Sequence, residues 1–153
     1  MPCADAHRAP PPNSTDVAFL FDTDAVSETL RPRPDPDYLA WLGTVARDDQ
    51  FASAVTVGEL FFGAYRASAG GRHVAMIEDL VLPAVTVLPF DAAVAQVYGR
   101  LAADLADQGT PLADADLQIA ATALHHDLEL VTGNHRHFGR VTGLRLRPLR
   151  GGA

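Results

Sequence analysis

Four segments far apart in the chain bear acids or an amide, and most of these groups stand where an apolar strand ends or a helix begins. The run Ala18-Phe19-Leu20-Phe21 reads as a fully buried strand that delivers Asp22 at its carboxyl end, followed by Thr23 and Asp24. Glu59 opens an apolar helix after the run Ser53-Ala54-Val55-Thr56-Val57, Asp116 heads Asp116-Leu117-Gln118-Ile119-Ala120-Ala121, and Asn134 follows the strand Leu128-Glu129-Leu130-Val131-Thr132. In an open parallel sheet, ligands bind outside the carboxyl ends of the strands. Three carboxylates and an amide gathered there repel one another unless a divalent cation holds them, and oxygen donors with retained waters are what Mg²⁺ prefers.

Each of these residues also has a plainer reading. An acid directly after Phe-Leu-Phe sits at the edge of low dielectric, where an unpaired carboxylate is costly, so Asp22 reads as functional unless it or Asp24 simply caps the next helix. Thr56-Val57-Gly58-Glu59 fits a capping box, which by itself accounts for Glu59. Asp116 suits the first turn of a helix through the helix dipole. Asp114, two residues earlier, is better placed to be the cap and is assigned that structural role. His125, His126, His135 and His137 lie close together, but adjacent histidines on a helix point apart and no cysteine joins them, which argues against zinc. His135 and His137 flank Arg136 in what reads as an exposed loop able to touch phosphate.

The elements that position these residues alternate between short apolar runs and helical patterns, as in an α/β sheet. Strands are predicted at about 18–22, 51–57, 85–90, 128–132 and, more weakly, 144–147. Helices are predicted over Ala25 to Leu30, around Tyr38 to Leu42 after the turn Arg31-Pro32-Arg33-Pro34-Asp35-Pro36, and over Gly58 to Ala67. Further helices cover His73 to Leu82 beyond the breaker Gly70-Gly71, Asp91 to about Gln108 with Gly109 as its stop, and Asp116 to about His126. The expected architecture is a single α/β domain over 17–150, with a central, mostly parallel sheet of about five strands flanked by helices.

Composition bounds the rest. The chain has 153 residues, 48% of them hydrophobic, enough for one domain with a substantial core. It shows neither a membrane-length apolar stretch nor the basic-then-apolar layout of a secretory signal, so a soluble cytoplasmic protein is expected. Its single cysteine, Cys3, lies in an Ala- and Pro-rich tail, which leaves no disulfide framework; residues 1–16 read as a disordered extension. The net charge of −7 argues on its face against nucleic acid. Distribution qualifies that sum, because no acid follows Glu129 while Arg136, Arg140, Arg145, Arg147 and Arg150 do. Every basic residue other than the histidines is Arg, since the chain contains no Lys.

With these residues in place, the sequence resembles the PIN-domain proteins, and among them toxins of the VapC and FitB type. The matching stretches are Phe21-Asp22-Thr23-Asp24-Ala25-Val26-Ser27-Glu28, the Pro-rich turn leading to Trp41-Leu42, Thr56-Val57-Gly58-Glu59-Leu60, Leu88-Pro89-Phe90-Asp91, Asp116-Leu117-Gln118-Ile119-Ala120-Ala121 and Leu130-Val131-Thr132-Gly133-Asn134 with His137-Phe138. They run in order from about residue 18 to 148. The resemblance implies a Mg²⁺-dependent ribonuclease, with Mn²⁺ as an alternative metal, acting on tRNA or rRNA and leaving 5′-phosphates. It also implies a toxin neutralised by a cognate antitoxin protein, and a homodimer. It carries the family's acids to Asp22, Glu59 and Asp116, with Thr132 as a nearby hydroxyl.

Asp22 and Asp116 are expected as direct metal ligands. Glu59 is expected to be a ligand through water or the base that orients the nucleophile, and Asn134 an orienting amide. Asp24 replaces the Asn common in the family and adds a possible ligand; Asn134 stands where many PIN domains have a fourth Asp. Arg136, Arg140 and His135 are the candidate RNA contacts. Two alternatives stay open. Asp22-Thr23-Asp24-Ala25-Val26 after a hydrophobic strand also resembles the nucleophile motif of haloacid-dehalogenase-like phosphatases, although the Lys those enzymes commonly use is absent. A PIN domain that binds RNA or protein without catalysis is the other.

Overall fold

The computed structural model describes residues 17–149. The expected extension at 1–16 and the last residue assigned to the domain, Arg150, lie outside them. Five strands form one parallel sheet: β1 (Phe19–Phe21), β2 (Gln50–Ser53), β3 (Thr86–Leu88), β4 (Glu129–Thr132) and β5 (Leu146–Pro148), in the spatial order β3-β2-β1-β4-β5. All four pairings are parallel, in agreement with the expected sheet. Adjacent strands that run in the same direction need crossover segments, and helices supply them. These are α1 (Thr23–Leu30), α2 (Pro36–Leu42), α3 (Ala54–Arg66), α4 (Gly70–Met76), α5 (Ala92–Asp107), α6 (Asp114–His125) and the single turn α7 (His135–Phe138).

The period-2 alternation of the strands sorts the core into two halves. Leu20 and Leu130 face Leu105, Leu117, Ile119, Ala120 and Ala123 of α5 and α6. Phe21 and Val131 face Val26, Tyr38, Leu60 and Ala64 on the helices of the opposite side. Burial on both faces explains why β1 and β4 read as continuous apolar runs rather than alternating ones. Ala120, Ala121 and Ala123 are fully buried, and their small side chains let α6 lie close to α5 and the sheet.

Strand order decides where a site can form. From β1 the chain moves outward to β2 and then β3 on one side, while β4 and β5 fill the other side. The crevice between the carboxyl ends of β1 and β4 is therefore the topological switch point of the sheet.

Several expected elements differ in their bounds. The strand expected over 51–57 ends at Ser53, and α3 begins at Ala54. Ser53 Oγ accepts hydrogen bonds from the Val55 and Thr56 backbone N–H groups at 3.0 and 3.3 Å, so this N-cap overrides the β-branched Val55-Thr56-Val57 run. The helix expected from His73 starts at Gly70 instead, and a π-helical turn at Ile77–Val81 continues it. Gly70 is a steric requirement rather than a breaker, because a Cβ there would stand 2.7 Å from the Ala64 carbonyl oxygen. The last strand lies at Leu146–Pro148, slightly later than expected. Asp91 does cap α5, accepting from the Val94 N–H at 3.0 Å, and Gly109 ends the segment with φ +69°, where a side chain would be strained.

Candidate active site

Asp22 follows β1, and its backbone N–H donates to the Val131 carbonyl at 3.1 Å, so the β1–β4 ladder carries it into the switch point. It is only 4% exposed. Asp22 Oδ1 accepts from the Ala25 N–H at 2.8 Å, which makes Asp22 the N-cap of α1, and the Thr132 hydroxyl bonds the same carboxylate. The capping reading is therefore correct for Asp22, and Asp24 lies in the first turn of the same helix. Capping does not account for the electrostatics. Burial pushes the Asp22 carboxyl up to about 6 against the pull of the Thr132 and Ala25 bonds, and the charges of Asp24 and Asp116 add to the rise. A carboxylate that served only as a cap would not be placed among other acids.

Asp22, Asp24, Glu59, Asp116 and Asn134 line one cavity of about 140 Å³ together with Thr23, Ile119 and Phe138. Five expected residues thus meet at the switch point. Asp116 occupies the third position of α6, with Leu117 and Ile119 buried just after it, so core packing fixes its direction. Its carboxyl is raised first by burial and then by Asp24, while the nearby His137 lowers it.

Glu59 reaches the cavity from the second turn of α3, not from its start. Its expected capping box does not form, because Ser53 caps the helix and Thr56 is fully buried. Glu59 Oε1 instead accepts the Thr23 hydroxyl at 2.6 Å, a bond between two elements 36 residues apart in sequence. The structural excuse for Glu59 is gone.

Thr132, fully buried, ties the site together. Its hydroxyl oxygen also accepts the Asn134 backbone N–H at 2.9 Å, which fixes the turn after β4. Asp114 stays outside the cavity. It is the first residue of α6 rather than its cap, a position held by Ala113 without a side-chain bond, and it accepts the Tyr98 hydroxyl at 3.1 Å. Of the expected RNA contacts, His135 borders the adjoining cavity, whereas Arg136 and Arg140 are exposed and line neither.

Sequence reasoning missed two members of the site. Thr23 positions Glu59, as described. His137 is exposed as expected but sits on α7 rather than in a loop, and its Nδ1 stands 2.8 Å from Asn134 Nδ2 and 3.8 Å from Asp116 Oδ2. In the first contact the Asn134 amide N–H donates to an unprotonated Nδ1; the second lies beyond hydrogen-bond range and is an ion pair only when the imidazole is protonated. The spacing Asn134-x-x-His137 across one helical turn was the available signal. The buried Phe138 anchors that turn in the core.

The donor set fits a hard divalent cation. It consists of carboxylate and amide oxygens without sulfur, and burial with the neighbouring Asp24 charge raises the carboxyls of Asp22 and Asp116. Among the described residues, no three acid or histidine side chains are already drawn together into a closed ligand cluster.

A family profile for the PIN domain matches residues 19–144. The chain belongs to the PIN-domain family. Among curated relatives, this PIN domain is 37% identical to Toxin FitB of Neisseria gonorrhoeae over 125 residues, covering 78% of this chain and 90% of that protein. It is 43% identical over 129 residues to the tRNA(fMet)-specific endonuclease VapC of Shigella flexneri, covering 84% of this chain and 96% of that one. A solved structure of DNA-bound VapBC from Salmonella typhimurium superimposes with a TM-score of 0.80 at 29% identity, over 88% of this chain and 99% of the other. This PIN domain is thus of the VapC and FitB toxin type, and the phosphatase alternative is set aside.

Proposed function

We propose that this PIN domain is a Mg²⁺-dependent endoribonuclease, the toxin of a toxin–antitoxin pair. The observation that carries the reading is the convergence of Asp22, Asp24, Glu59 and Asp116 on one small polar cavity at the switch point of the sheet. Nothing in the core requires four acids there, and holding a cation for phosphodiester hydrolysis accounts for them.

Asp22 and Asp116 are the residues placed to hold the ion, with Asp24 beside them. A divalent cation bound there supplies charge neutralisation at the phosphate and acidifies a water. Glu59, held by Thr23, stands ready to take the proton of a water attacking phosphorus as the bond from phosphorus to the leaving ribose oxygen breaks. Thr132 keeps Asp22 oriented toward the cavity, and Asn134 fixes His137 against Asp116. His135 and the arginines after residue 133 are the cationic groups nearest in sequence to that wall. The substrate class is RNA, with tRNA supported by the 43% identical tRNA(fMet)-specific relative.

The antitoxin reading has a surface to match it. A groove of about 390 Å³ lies between α1, α3 and α4, with Leu30, Leu60, Ala64 and Ile77 in its wall and Thr23 and Glu59 at the end shared with the acidic cavity. A partner segment lying in this groove can extend a basic side chain, best an Arg, onto the carboxylates, where it competes with the metal. The similarity to the VapBC complex from Salmonella typhimurium supports a protein partner for this chain.

The experiment is RNA cleavage by the purified protein. Cleavage should require Mg²⁺, stop in EDTA, return on adding excess Mg²⁺, and vanish in Asp116→Ala while RNA binding persists; the protein co-encoded beside it should suppress it. Cleavage that survives EDTA, or equal cleavage by Asp116→Ala, would contradict the nuclease reading. Cleavage indifferent to the co-encoded neighbour would remove the antitoxin alone.

A further inference from the structure

The acidic cavity opens onto a longer path. Asp24 borders it and also a second cavity of about 340 Å³, whose wall includes Arg31, Thr132, His135, Pro148 and Leu149. Pro148 and Leu149 in turn border a third cavity of about 160 Å³, whose other walls include Trp41 and Arg147. Topology explains the continuity. Thr132 and Pro148 are in register on β4 and β5, so the three cavities follow one another across the carboxyl ends of β1, β4 and β5 toward the sheet edge.

At the far end the Arg147 guanidinium lies 4.0 Å from the centroid of the Trp41 ring and 6.0 Å from that of Phe19. Trp41 is itself held edge-on by Phe19 at 5.1 Å and packed beside Tyr38 at 6.0 Å, so the indole is a fixed platform. Other arginines use their donors within the protein. Arg31 pairs with Glu28, Arg47 binds the Pro83 and Val85 carbonyls and the Thr86 hydroxyl, and Arg145 binds Asp127. The Arg147 side chain makes no hydrogen bond or salt bridge among the described residues. Stacking on an aromatic face holds the planar cation in place without consuming any of its five N–H donors. The result is a half-buried guanidinium, fixed in position and still able to bind phosphate.

We propose that this path seats single-stranded RNA beyond the scissile bond, and that Arg147, held on Trp41, takes a backbone phosphate of a flanking nucleotide. The inference rests on the nuclease reading for the identity of the strand. Asp24, Glu28 and Asp37 also border the path, so its charge is mixed. What favours phosphate is the stacked guanidinium with unused donors, at the end of a path that starts at the acids. Base stacking on Trp41 is not the mode, because the guanidinium already covers that face.

The test is binding of a fluorescent single-stranded oligoribonucleotide, read by anisotropy in EDTA over a range of KCl concentrations. Each phosphate contact on a single strand contributes about 0.7 to the slope of log K against log salt. Arg147→Gln should lower the slope by about that amount and weaken binding several-fold at low salt, while Arg147→Lys should keep most of the slope. The difference between parent and Arg147→Gln should disappear as the RNA is shortened until it cannot reach β5, a length dependence that a purely structural role would not produce. Equal slopes for parent and Arg147→Gln at every length overturn the proposal, as does a parent that binds no RNA or a loss that is the same for short and long strands. Cleavage of the same RNA in Mg²⁺ by the parent reads the nuclease proposal separately, so either can fail alone.

Discussion

At the scale of single residues, the site trades stability for chemistry, and Asp22 shows it best. Its carboxyl is raised from 3.8 to about 6, so between those values the folded state holds a proton that the unfolded chain has released. The folded state binds more protons there, and stability therefore falls as pH rises through that window and stays low above it. The shift corresponds to roughly 3 kcal/mol for this buried group. Asp22→Asn keeps the shape and the cap acceptor while removing the charge. In EDTA at pH 8 the variant should melt several degrees above the parent, and the gap should close near pH 4; a variant that melts lower at pH 8 would show that the ionised cap outweighs the repulsion. Asp22 and Asp116 were legible in the sequence because each stands at the boundary of an apolar segment, one at a strand end and one at a helix start. Thr23 and His137 were not, since what defines them is a contact with Glu59 and with Asp116, on elements distant in the chain.

At the scale of elements, the most instructive difference is the start of α3. Ser53-Ala54-Val55-Thr56-Val57 has the composition of a strand, and the Thr56–Glu59 spacing imitates a capping box. A serine at the strand end captured the Val55 and Thr56 N–H groups and began the helix there, so propensity yielded to capping and to the burial of Thr56. Local pattern could not separate two candidate caps three residues apart. The consequence is measurable in urea melts. Ser53→Ala should cost about 1 kcal/mol of stability, the usual worth of an N-cap. Glu59→Gln should leave stability within about 0.5 kcal/mol, as for exposed surface changes, yet reduce cleavage by at least tenfold. A large loss of stability in Glu59→Gln with cleavage intact would return Glu59 to a structural role. By contrast, α5 was legible almost to the residue, because Asp91, Gly109 and the apolar spacing between them agree at every level.

At the scale of the molecule, strand order makes the site, and it was not written in any one motif. The acids converge because β1 and β4 are neighbours although more than a hundred residues separate them, a pairing that sequence pattern suggests only through the α/β alternation. The surface carries a second whole-molecule signal. Phe62 and Tyr65 on α3 are 64% and 73% exposed, with Arg66 stacked over Phe62, on the side of the helix away from the core. Exposed aromatics on one helix face fit the homodimer expected from the sequence. Light scattering at micromolar concentration should give a dimer for the parent and a monomer for Phe62→Glu combined with Tyr65→Glu; a monomeric parent would contradict it. Among the described residues, no helix is long and apolar enough to cross a membrane. The central claim, that the acids gathered by this topology hold a divalent cation, is tested most directly by titrating the purified protein with Mn²⁺ and reading bound metal by electron paramagnetic resonance. At pH 8 the parent should bind Mn²⁺ in competition with Mg²⁺, Asp22→Asn and Asp116→Asn should each weaken binding at least tenfold, and parent binding should decline as pH falls through about 6, where Asp22 takes up its proton. Mn²⁺ binding that is unchanged by both substitutions, or absent from the parent at pH 8, would contradict the account.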